Sequence, residues 1–296
     1  MNATSNVPPA PSGLSAEWQD WLASNIVNGC SDVDLMAGMT GNGFDEHYAR
    51  VAISVVRSMT VRVQQASPAL LSDFQADPIR LPNVNRVRAA DREIGISFVL
   101  VNPNIAVITN LLSEQECDKL VQLSIGKLKR SEVVDRGSGG SEVSKVRTSE
   151  GAYFQRGENA VVERLEKRIE ALTGIPVDRG EGLQMLHYGI GAEYKPHHDY
   201  FEPSDSGSAV LMKAGGQRVA TMVIYLNEVE AGGETIFPEL ELTVKPVRGS
   251  AVYFEYHNQQ LKLDPRCLHG GSPVLRGEKW IVTKWLRQGA YVSGPQ

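Results

Sequence analysis

The sequence predicts a mostly β protein with flanking helices (α+β), whose core is an antiparallel double sheet of the jelly-roll or cupin kind. Helical patterns with capping signals occupy the early part of the chain. Beyond residue 180, short apolar segments alternate with turns rich in Gly, Pro and Asn. Helices early and serial short strands late together indicate a helix-flanked double sheet that follows a small helical module.

The N-terminal part of the chain is predicted to contain a tail and a helical module. Residues 1–13 are rich in Pro, Ser and Asn, which predicts a disordered tail. Residues 14–66 carry three helical patterns with capping residues, which predicts a module of three helices. These helices are expected to begin near Ser15, Ser31 and Asp45. We expect the apolar positions to form the module's own core, with a face for a partner or dimer contact as the alternative.

A linker and a larger domain are predicted to follow. Residues 67–95 mix prolines with charges, which predicts a linker that packs partly on the next domain. Residues 96–292 are predicted to form the catalytic domain, with two strands at its start. A capping box that begins at Ser113 predicts one helix, and apolar spacing predicts another over 159–172. Later strands are expected at LQMLHY, VATMVIYLN, ELTV, SAVYFEY and WIVTKWLR.

Composition and charge narrow the range of partners. The chain has 30 Lys and Arg against 35 Asp and Glu, a net charge of −5, which gives no reason to expect nucleic acid. The most apolar stretch, 96–112, is interrupted by Asn and Pro, so no membrane association is expected. The first residues lack a basic segment followed by an apolar core, and the three cysteines are widely separated. We therefore expect a cytoplasmic protein.

Three side chains are candidates for metal ligands. His197 and Asp199 are two residues apart in a predicted strand, where they would point to the same face. His269 begins another predicted strand further along the chain. Two imidazoles and one carboxylate on one face form the facial triad of non-haem Fe(II) oxygenases. The neighbouring His198 points to the opposite face of the strand and is not expected to be a ligand.

A lysine near the last candidate ligand adds a cation to this group. Lys279 follows His269 by ten residues. An ammonium close to an iron with open coordination positions could hold the distal carboxylate of a chelating 2-oxo diacid. His-x-Asp alone is a weak signal, and the prediction depends on the complete set of residues at fixed spacing.

Several motifs follow one another in a fixed order over roughly residues 96–290. They are Tyr188-(x)8-His197-x-Asp199, Gly232-Gly-Glu-Thr235-Ile-Phe-Pro238 and His269-(x)4-Val274-(x)4-Lys279-Trp280-(x)4-Trp285. This series resembles the catalytic domain of prolyl 4-hydroxylases. The resemblance implies a double-stranded β-helix core, and it implies Fe(II), 2-oxoglutarate and O2 as cofactors and cosubstrates, with ascorbate to rescue oxidised iron.

Carried over position by position, the resemblance implies a role for each matching residue. The three candidate ligands would bind Fe(II), and Lys279 would form a salt bridge with the distal carboxylate of 2-oxoglutarate. Tyr188 and Thr235 match positions whose hydroxyls hydrogen-bond that cosubstrate. Trp285 matches a position in the wall of the substrate pocket.

The resemblance extends to a peptide-binding groove. Arg147 and Ser149 resemble the segment after a flexible loop that closes over substrate, here about 134–145. Further positions that match the lining of the family's groove are Glu181, Tyr194 and Arg218. Plant-type relatives carry a histidine two residues past the pocket tryptophan, whereas this chain has Arg287 there. This departure leaves the shape of the substrate pocket open.

The resemblance implies a 2-oxoglutarate-dependent dioxygenase, similar to procollagen-proline 4-dioxygenases, that hydroxylates prolyl residues and releases succinate and CO2. A peptide or protein is therefore the expected partner. The same chemistry on a free amino acid or another non-prolyl substrate is one alternative. A cupin-type metal protein without oxygenase activity is a second, although it has no need of Lys279. A scaffold whose helical module is the functional part is a third.

Overall fold

The computed structural model describes residues 14–64, 74–130, 133–134, 141–142 and 148–292. The chain divides into two compact units, Met1–Leu71 and Ser72–Gln296. Among the described residues, no helix combines the length and the apolar composition that crossing a bilayer requires.

The described part of the first unit is a three-helix module with its own core. Its helices are α1 (Ala16–Val27), α2 (Asp32–Gly41) and α3 (Glu46–Gln64). Ser15 and Ser31 cap the first two helices, because their hydroxyls accept hydrogen bonds from backbone N–H groups of the first turn. The buried core side chains include Leu22, Leu35, Met39, Ala49 and Ala52. The predicted helices of this module are confirmed.

The second unit contains helices and many short strands. Its helices are α4 (Glu114–Ile125), α5 (Ala160–Thr173) and α6 (Ser208–Met212). Its strands are β1 (Arg86–Ala89), β2 (Arg92–Val101), β3 (Asn104–Thr109), β4 (Lys129–Arg130), β5 (Val133–Val134), β6 (Ser141–Glu142), β7 (Glu150–Phe154), β8 (Gly180–Tyr188), β9 (Tyr194–His197), β10 (Arg218–Tyr225), β11 (Ala231–Gly232), β12 (Thr235–Phe237), β13 (Leu242–Val244), β14 (Ala251–Glu255), β15 (His269–Gly271), β16 (Val274–Arg276) and β17 (Lys279–Arg287). The predicted capping box at Ser113 and Glu116 is present, and Gly174 ends α5 in the left-handed conformation.

Two antiparallel sheets form a jelly roll. In the described residues, the larger sheet has nine strands in the order β1–β2–β3–β14–β10–β17–β8–β7–β4. The smaller sheet has four strands in the order β13–β12–β15–β9, and β11–β16 and β5–β6 form short separate ladders. The predicted helix-flanked double sheet is therefore confirmed.

Alternate residues of the central strands face opposite sides of the larger sheet. Met222 of β10 and Val282 of β17 belong to the core that includes α4 and α5. Their sequence neighbours, Val223 and Ile281, belong to a second core that also contains Phe237 of β12. The inner face of β10 and β17 therefore points toward the smaller sheet.

The predicted linker is corrected in part by the structure. The segment 67–95 contains β1 and the first residues of β2, which pair with each other. Burial alternates along β1, where Arg86 and Arg88 are exposed and Ala89 is buried. A short strand at the edge of a sheet buries few side chains, so its alternating pattern in the sequence is weak. The prolines and charged residues around β1 made this weak pattern hard to recognise.

Candidate active site

The three candidate metal ligands meet at one end of the smaller sheet. β9 and β15 pair so that His269 lies directly opposite His197, and Asp199 follows two residues after the end of β9. Nε2 of His197 lies 3.5 Å from Oδ1 of Asp199, and Nε2 of His269 lies 3.4 Å from Oδ2. One ligand atom from each residue lies within 4.8 Å of the others. Adjacent ligand atoms about 2.1 Å from one ion are roughly 3 Å apart, so small rotations suffice to bring all three onto a common ion.

Backbone carbonyl groups orient both imidazoles. Nδ1 of His197 is 2.9 Å from the carbonyl oxygen of Lys195, and Nδ1 of His269 is 2.9 Å from that of Cys267. A carbonyl oxygen only accepts, so each Nδ1 carries the hydrogen and each Nε2 presents its lone pair to the cluster. Two such nitrogens and one carboxylate are the donor set of a non-haem Fe(II) site, and the residues present fit that ion.

Burial and neighbouring charges favour the protonation states that bind metal. Desolvation and the neighbouring His269 lower the pKa of His197, which keeps its imidazole neutral. Desolvation alone would raise the pKa of Asp199, but the electrostatic interactions of its carboxyl group with His269 and His197 outweigh the desolvation and hold this pKa well below its usual range. Because metal ligands must be deprotonated, both shifts favour binding of an ion.

Two further side chains orient the carboxylate of Asp199, and sequence reasoning missed both. The hydroxyl of Thr221 donates to Oδ2 of Asp199 at 2.7 Å, and the hydroxyl of Tyr256 donates to the same oxygen at 3.3 Å. Thr221 and Tyr256 also contact each other through their hydroxyls. Thr221 shares the inner face of β10 with Val223 and Tyr225, so alternation along β10 was the signal that could have identified it.

The cluster lines an open cavity with about 420 Å³ of empty space, a volume that includes space open to solvent. One side of the cavity is the inner face of β8, β10 and β17, and the other side is formed by β9, β12 and β15. Alternate residues of β17 line it from Lys279 to Trp285. Besides the three ligands, the cavity is lined by five residues that the sequence predicted for the site, Tyr188, Tyr194, Thr235, Lys279 and Trp285.

Lys279 is a buried lysine in the wall of this cavity, with 3% of its surface exposed. Within the described residues its ammonium forms no ion pair or hydrogen bond, and the ring centre of Tyr188 lies 5.4 Å away. Desolvation lowers the pKa of Lys279 to about 8, and the negative charge of Glu234 opposes this shift. Because a buried cation without a counter-ion is unfavourable, this position suits the carboxylate of a bound ligand.

Thr235 is held in place on the opposite side of the cavity. The hydroxyl of Tyr225 donates to Oγ1 of Thr235 at 2.7 Å, which leaves the hydrogen of Thr235 free for another acceptor. The next residue toward the N-terminus, Glu234, is clamped to Ser272 by reciprocal hydrogen bonds. The backbone N–H of Glu234 donates to Oγ of Ser272 at 2.9 Å, and that hydroxyl donates to the carboxylate of Glu234. This clamp fixes β12 beside β15, the strand that carries His269.

Glu181 and Arg218, both predicted to line a peptide groove, form a bidentate ion pair with N–O distances of 2.7 and 3.0 Å. Arg287 donates to the same carboxylate at 3.0 Å. The guanidinium of Arg218 lies 3.9 Å from the ring centre of Trp285 and donates to the carbonyl oxygen of Asp199 at 3.2 Å. These contacts connect the cavity wall with the backbone of a metal ligand.

The segment predicted to follow the closing loop lies beside β9. Ser149 is buried, and its neighbour Thr148 exchanges hydrogen bonds with Glu193, which directly precedes β9. Arg147 lies outside the described residues. So does most of the predicted closing loop at 134–145, of which only the ladder β5–β6 is described.

His198 is turned away from the metal cluster. Its Nε2 lies 3.0 Å from the carbonyl oxygen of Pro265, and its ring stacks on Tyr200 with 4.6 Å between ring centres. The cluster therefore consists of His197, Asp199 and His269 and does not include the adjacent imidazole.

The geometry agrees with comparisons to known proteins. Residues 183–287 match the family described as the 2OG-Fe(II) oxygenase superfamily. The chain is 44% identical over 208 residues to probable prolyl 4-hydroxylase 3 of Arabidopsis thaliana, and the match covers 64% of this chain and 71% of the relative. It is 39% identical over 247 residues to prolyl 4-hydroxylase 5 of the same plant, and this match covers 70% of this chain and 83% of the relative.

A solved structure is also similar. The viral collagen prolyl hydroxylase of Paramecium bursaria Chlorella virus-1, in its 2-oxoglutarate complex, is 30% identical with a TM-score of 0.49. The match covers 62% of this chain and 95% of that chain.

The jelly roll and its His-Asp-His cluster, together with the superfamily match, define a non-haem Fe(II), 2-oxoglutarate-dependent dioxygenase. Within that class, the chain belongs to the prolyl 4-hydroxylase family.

Proposed function

We propose that this dioxygenase hydroxylates prolyl residues in a peptide or protein substrate. Membership of the prolyl 4-hydroxylase family supports the choice of substrate. The observation that carries the proposal is a single cavity that contains the His-Asp-His cluster and the buried ammonium of Lys279. An ammonium without an ion pair among the described residues suits the second carboxylate of a dicarboxylic cosubstrate.

Bound Fe(II), with 2-oxoglutarate and O2, supplies the oxidation, in which one oxygen atom enters a substrate C–H bond and the other converts 2-oxoglutarate into succinate and CO2. The protein's part is to hold and orient the reactants. His197 and His269 would bind the ion through Nε2, and Asp199 would bind it through its carboxylate. Three protein ligands would leave further coordination positions of the ion open for small molecules.

At the cosubstrate end of the cavity, Lys279 would pair with the distal carboxylate of 2-oxoglutarate. Thr235 would donate the hydrogen that its bond from Tyr225 leaves free. The hydroxyl of Tyr188 is assigned to the same carboxylate, because this ring lines the cavity close to the ammonium of Lys279. Two hydroxyls and one ammonium would satisfy the buried anion, which must not be left without partners.

At the substrate end, Trp285 and Tyr194 would contact the peptide, because both line the cavity. The ring of Tyr194 stacks on His197 with 3.7 Å between ring centres, which puts it beside the metal cluster. Glu181 and Arg218 would support this wall from the groove side, through the contact of Arg218 with Trp285. Arg147 and Ser149 are assigned to peptide binding by resemblance.

The apolar side chains between the two ends would exclude water from the reacting centre. Leu186, Val223 and Ile281 line the cavity on β8, β10 and β17. Along each strand these residues alternate with residues of the core that includes α4 and α5. The sheet that carries them is therefore packed on both faces. A dry, rigid wall of this kind limits side reactions of an oxidising site with solvent.

The proposal is tested by measuring 2-oxoglutarate and O2 consumption with Fe(II) over a panel of proline-containing peptides. We expect succinate formation that depends on peptide, and a mass gain of one oxygen on the peptide. Free proline and non-prolyl peptides belong in the same panel. A gain of oxygen on free proline alone would instead support the free amino acid as substrate.

A pair of adjacent histidines provides a matched control. His197→Ala should abolish iron binding and turnover, whereas His198→Ala should retain both, since His198 points toward Pro265 and away from the cluster. Full turnover by the His197→Ala or Asp199→Ala protein would exclude the proposed metal site. Lack of any response to 2-oxoglutarate would favour a cupin-type metal protein without oxygenase activity.

Three further assignments remain predictions alongside this function. Ascorbate is expected to restore activity after oxidation of the iron. The helical module is expected to provide the surface for any partner or dimer contact. The enzyme is expected to act in the cytoplasm.

A further inference from the structure

Arg287 is a buried arginine that shares one carboxylate with a second arginine. In the pairing of β10 with β17, Arg287 lies directly opposite Arg218. Like charges at opposite positions of two strands repel each other, and burial strengthens the repulsion. Only 2% of the Arg287 side chain and 11% of the Arg218 side chain are exposed. This pair of cations needs an anion between its members.

Glu181 is that anion. Its Oε1 accepts hydrogen bonds from Nε of Arg218 at 2.7 Å and from Nη1 of Arg287 at 3.0 Å. Its Oε2 accepts from Nη2 of Arg218 at 3.0 Å. Because both oxygens are engaged from two directions, the position of the carboxylate depends on both guanidinium groups.

Arg218 transmits this arrangement to the cavity. Its guanidinium packs on the Trp285 ring at 3.9 Å, and its Nη1 donates to the backbone carbonyl of Asp199 at 3.2 Å. Trp285 lines the cavity at the end of β17 away from Lys279. The orientation of Glu181 therefore affects both a cavity wall and the backbone of a metal ligand.

Arg287 has a second anchor of its own. Nη2 of Arg287 donates to the carbonyl oxygen of Leu211 in α6 at 2.7 Å. The ring of Phe201 lies 4.8 Å from the guanidinium of Arg287 and 4.9 Å from that of Arg218. Arg287 thus holds the segment between β9 and β10 and the carboxylate of Glu181 at the same time. Arg287 is not among the described residues that line the cavity.

We propose that Arg287 is a positioning residue for substrate binding, which acts through Glu181 and Arg218 to fix the wall formed by Trp285. This inference rests on the proposed function, since the substrate it concerns is the prolyl peptide. Arg287 has no direct contact with the reacting groups. Its effect is on the fit of the substrate, and the cosubstrate end of the cavity is independent of it. Lys279 and Arg287 are at opposite ends of β17, eight residues or about 26 Å apart along the strand.

The test compares three variants with the wild-type protein. Arg287→Met keeps the length of the side chain without its charge, and Arg287→Lys keeps the charge without the planar pair of donors. Arg168→Met is the matched control, because Arg168 is equally buried and also forms ion pairs, here with Glu116 and Asp91, away from the cavity. For each protein, KM for a prolyl peptide, KM for 2-oxoglutarate and thermal stability are measured separately.

We expect Arg287→Met to raise the peptide KM roughly tenfold, the size expected for one lost charged hydrogen bond, and to leave the KM for 2-oxoglutarate unchanged. Arg287→Lys should give a smaller rise in peptide KM. Arg168→Met should lower thermal stability without raising the peptide KM relative to the KM for 2-oxoglutarate. An unchanged peptide KM in folded Arg287→Met or Arg287→Lys protein would overturn the proposal, and so would equal rises in both constants.

A spectroscopic measurement separates failure of this inference from failure of the proposed function. The emission of Trp285 is obtained as the difference between each protein and its Trp285→Phe counterpart. We expect this emission to change in Arg287→Met and to remain unchanged in Arg168→Met, whatever the substrate is. Peptides that are not turned over by the wild-type protein would contradict the proposed function. An unchanged Trp285 emission in Arg287→Met would contradict the positioning role.

Discussion

The hydroxyl of Thr221 donates a hydrogen bond to Oδ2 of Asp199 across 2.7 Å, and this bond connects the two sheets of the jelly roll at the metal cluster. Thr221 is on β10 of the larger sheet, whereas Asp199 follows β9 of the smaller sheet. The orientation of the only carboxylate in the described cluster is therefore controlled from the opposite sheet.

Replacing Thr221 with Val should weaken iron binding or activity by about 10–100-fold, because the ligand carboxylate loses a hydrogen bond that orients it while the side-chain volume is kept. The measurement is an Fe(II) titration monitored by succinate formation. Thr221→Ser retains a hydroxyl and should stay close to wild type. Equal iron affinity in Thr221→Val and wild-type proteins would show that this bond has no orienting role.

Replacing Lys279 with Ala should raise the KM for 2-oxoglutarate roughly 10- to 100-fold, since a charged hydrogen bond contributes about 1.5–3 kcal/mol. The pKa of Lys279 is lowered to about 8 by desolvation, so the ammonium loses its proton as the pH rises above that value. The wild-type KM should then increase by up to about tenfold per pH unit. In Lys279→Ala this dependence should disappear, and its persistence would assign it to another group.

Glu234→Gln should move the same pH dependence to lower pH. The carboxylate of Glu234 opposes the desolvation of Lys279, so its removal lowers the pKa of the ammonium below about 8. The amide can still accept the hydrogen bond from Ser272 that holds residue 234 in place. Glu230→Gln is the control, because Glu230 pairs with Arg276 on the surface at 2.8 Å. The measurement is KM for 2-oxoglutarate against pH, and coincident profiles for the two variants would contradict the expected coupling.

Arg168→Met should lower the free energy of unfolding by about 3–5 kcal/mol, because it leaves the carboxylate of Glu116 buried without its main partner. Arg164→Met should cost less than about 1 kcal/mol, since Arg164 is 43% exposed and contacts the same carboxylate at 3.3 Å. Denaturant unfolding of both variants measures the difference. Similar losses in both would argue against the buried network.

The network of Glu116 also predicts a stability loss in acid. Burial would raise the pKa of Glu116, but hydrogen bonds from Arg168 and the backbone N–H of Ser113 outweigh it and lower the pKa from 4.5 to about 2. A depressed carboxyl pKa stabilises the fold above pH 4.5, and this contribution is lost as the pH falls toward 2. Unfolding measured from pH 5 to pH 2 should therefore show a smaller loss in Glu116→Gln than in wild type. An identical acid dependence would exclude this carboxyl as the source.

The amino-acid sequence determined the local features of this protein. Capping residues such as Ser15, Ser31 and Ser113 identified helices, because caps act on backbone groups within a few residues. The two-residue spacing of His197 and Asp199 and the position of Lys279 identified the chemistry of the site. Asp199 itself lies two residues beyond the end of β9, so strand alternation alone does not place its carboxylate. The edge strand β1 was missed, since its few buried residues produce almost no pattern.

Tertiary structure decided which distant segments meet. The register of β9 with β15 puts His269 opposite His197, and the approach of β10 brings Thr221 to Asp199. The pairing of β10 with β17 sets Arg287 against Arg218 with Glu181 between them. These contacts join residues far apart in the chain, and their formation depends on the packing of whole sheets. No local pattern encodes them, because register and packing are settled by the sum of many side-chain contacts along each strand.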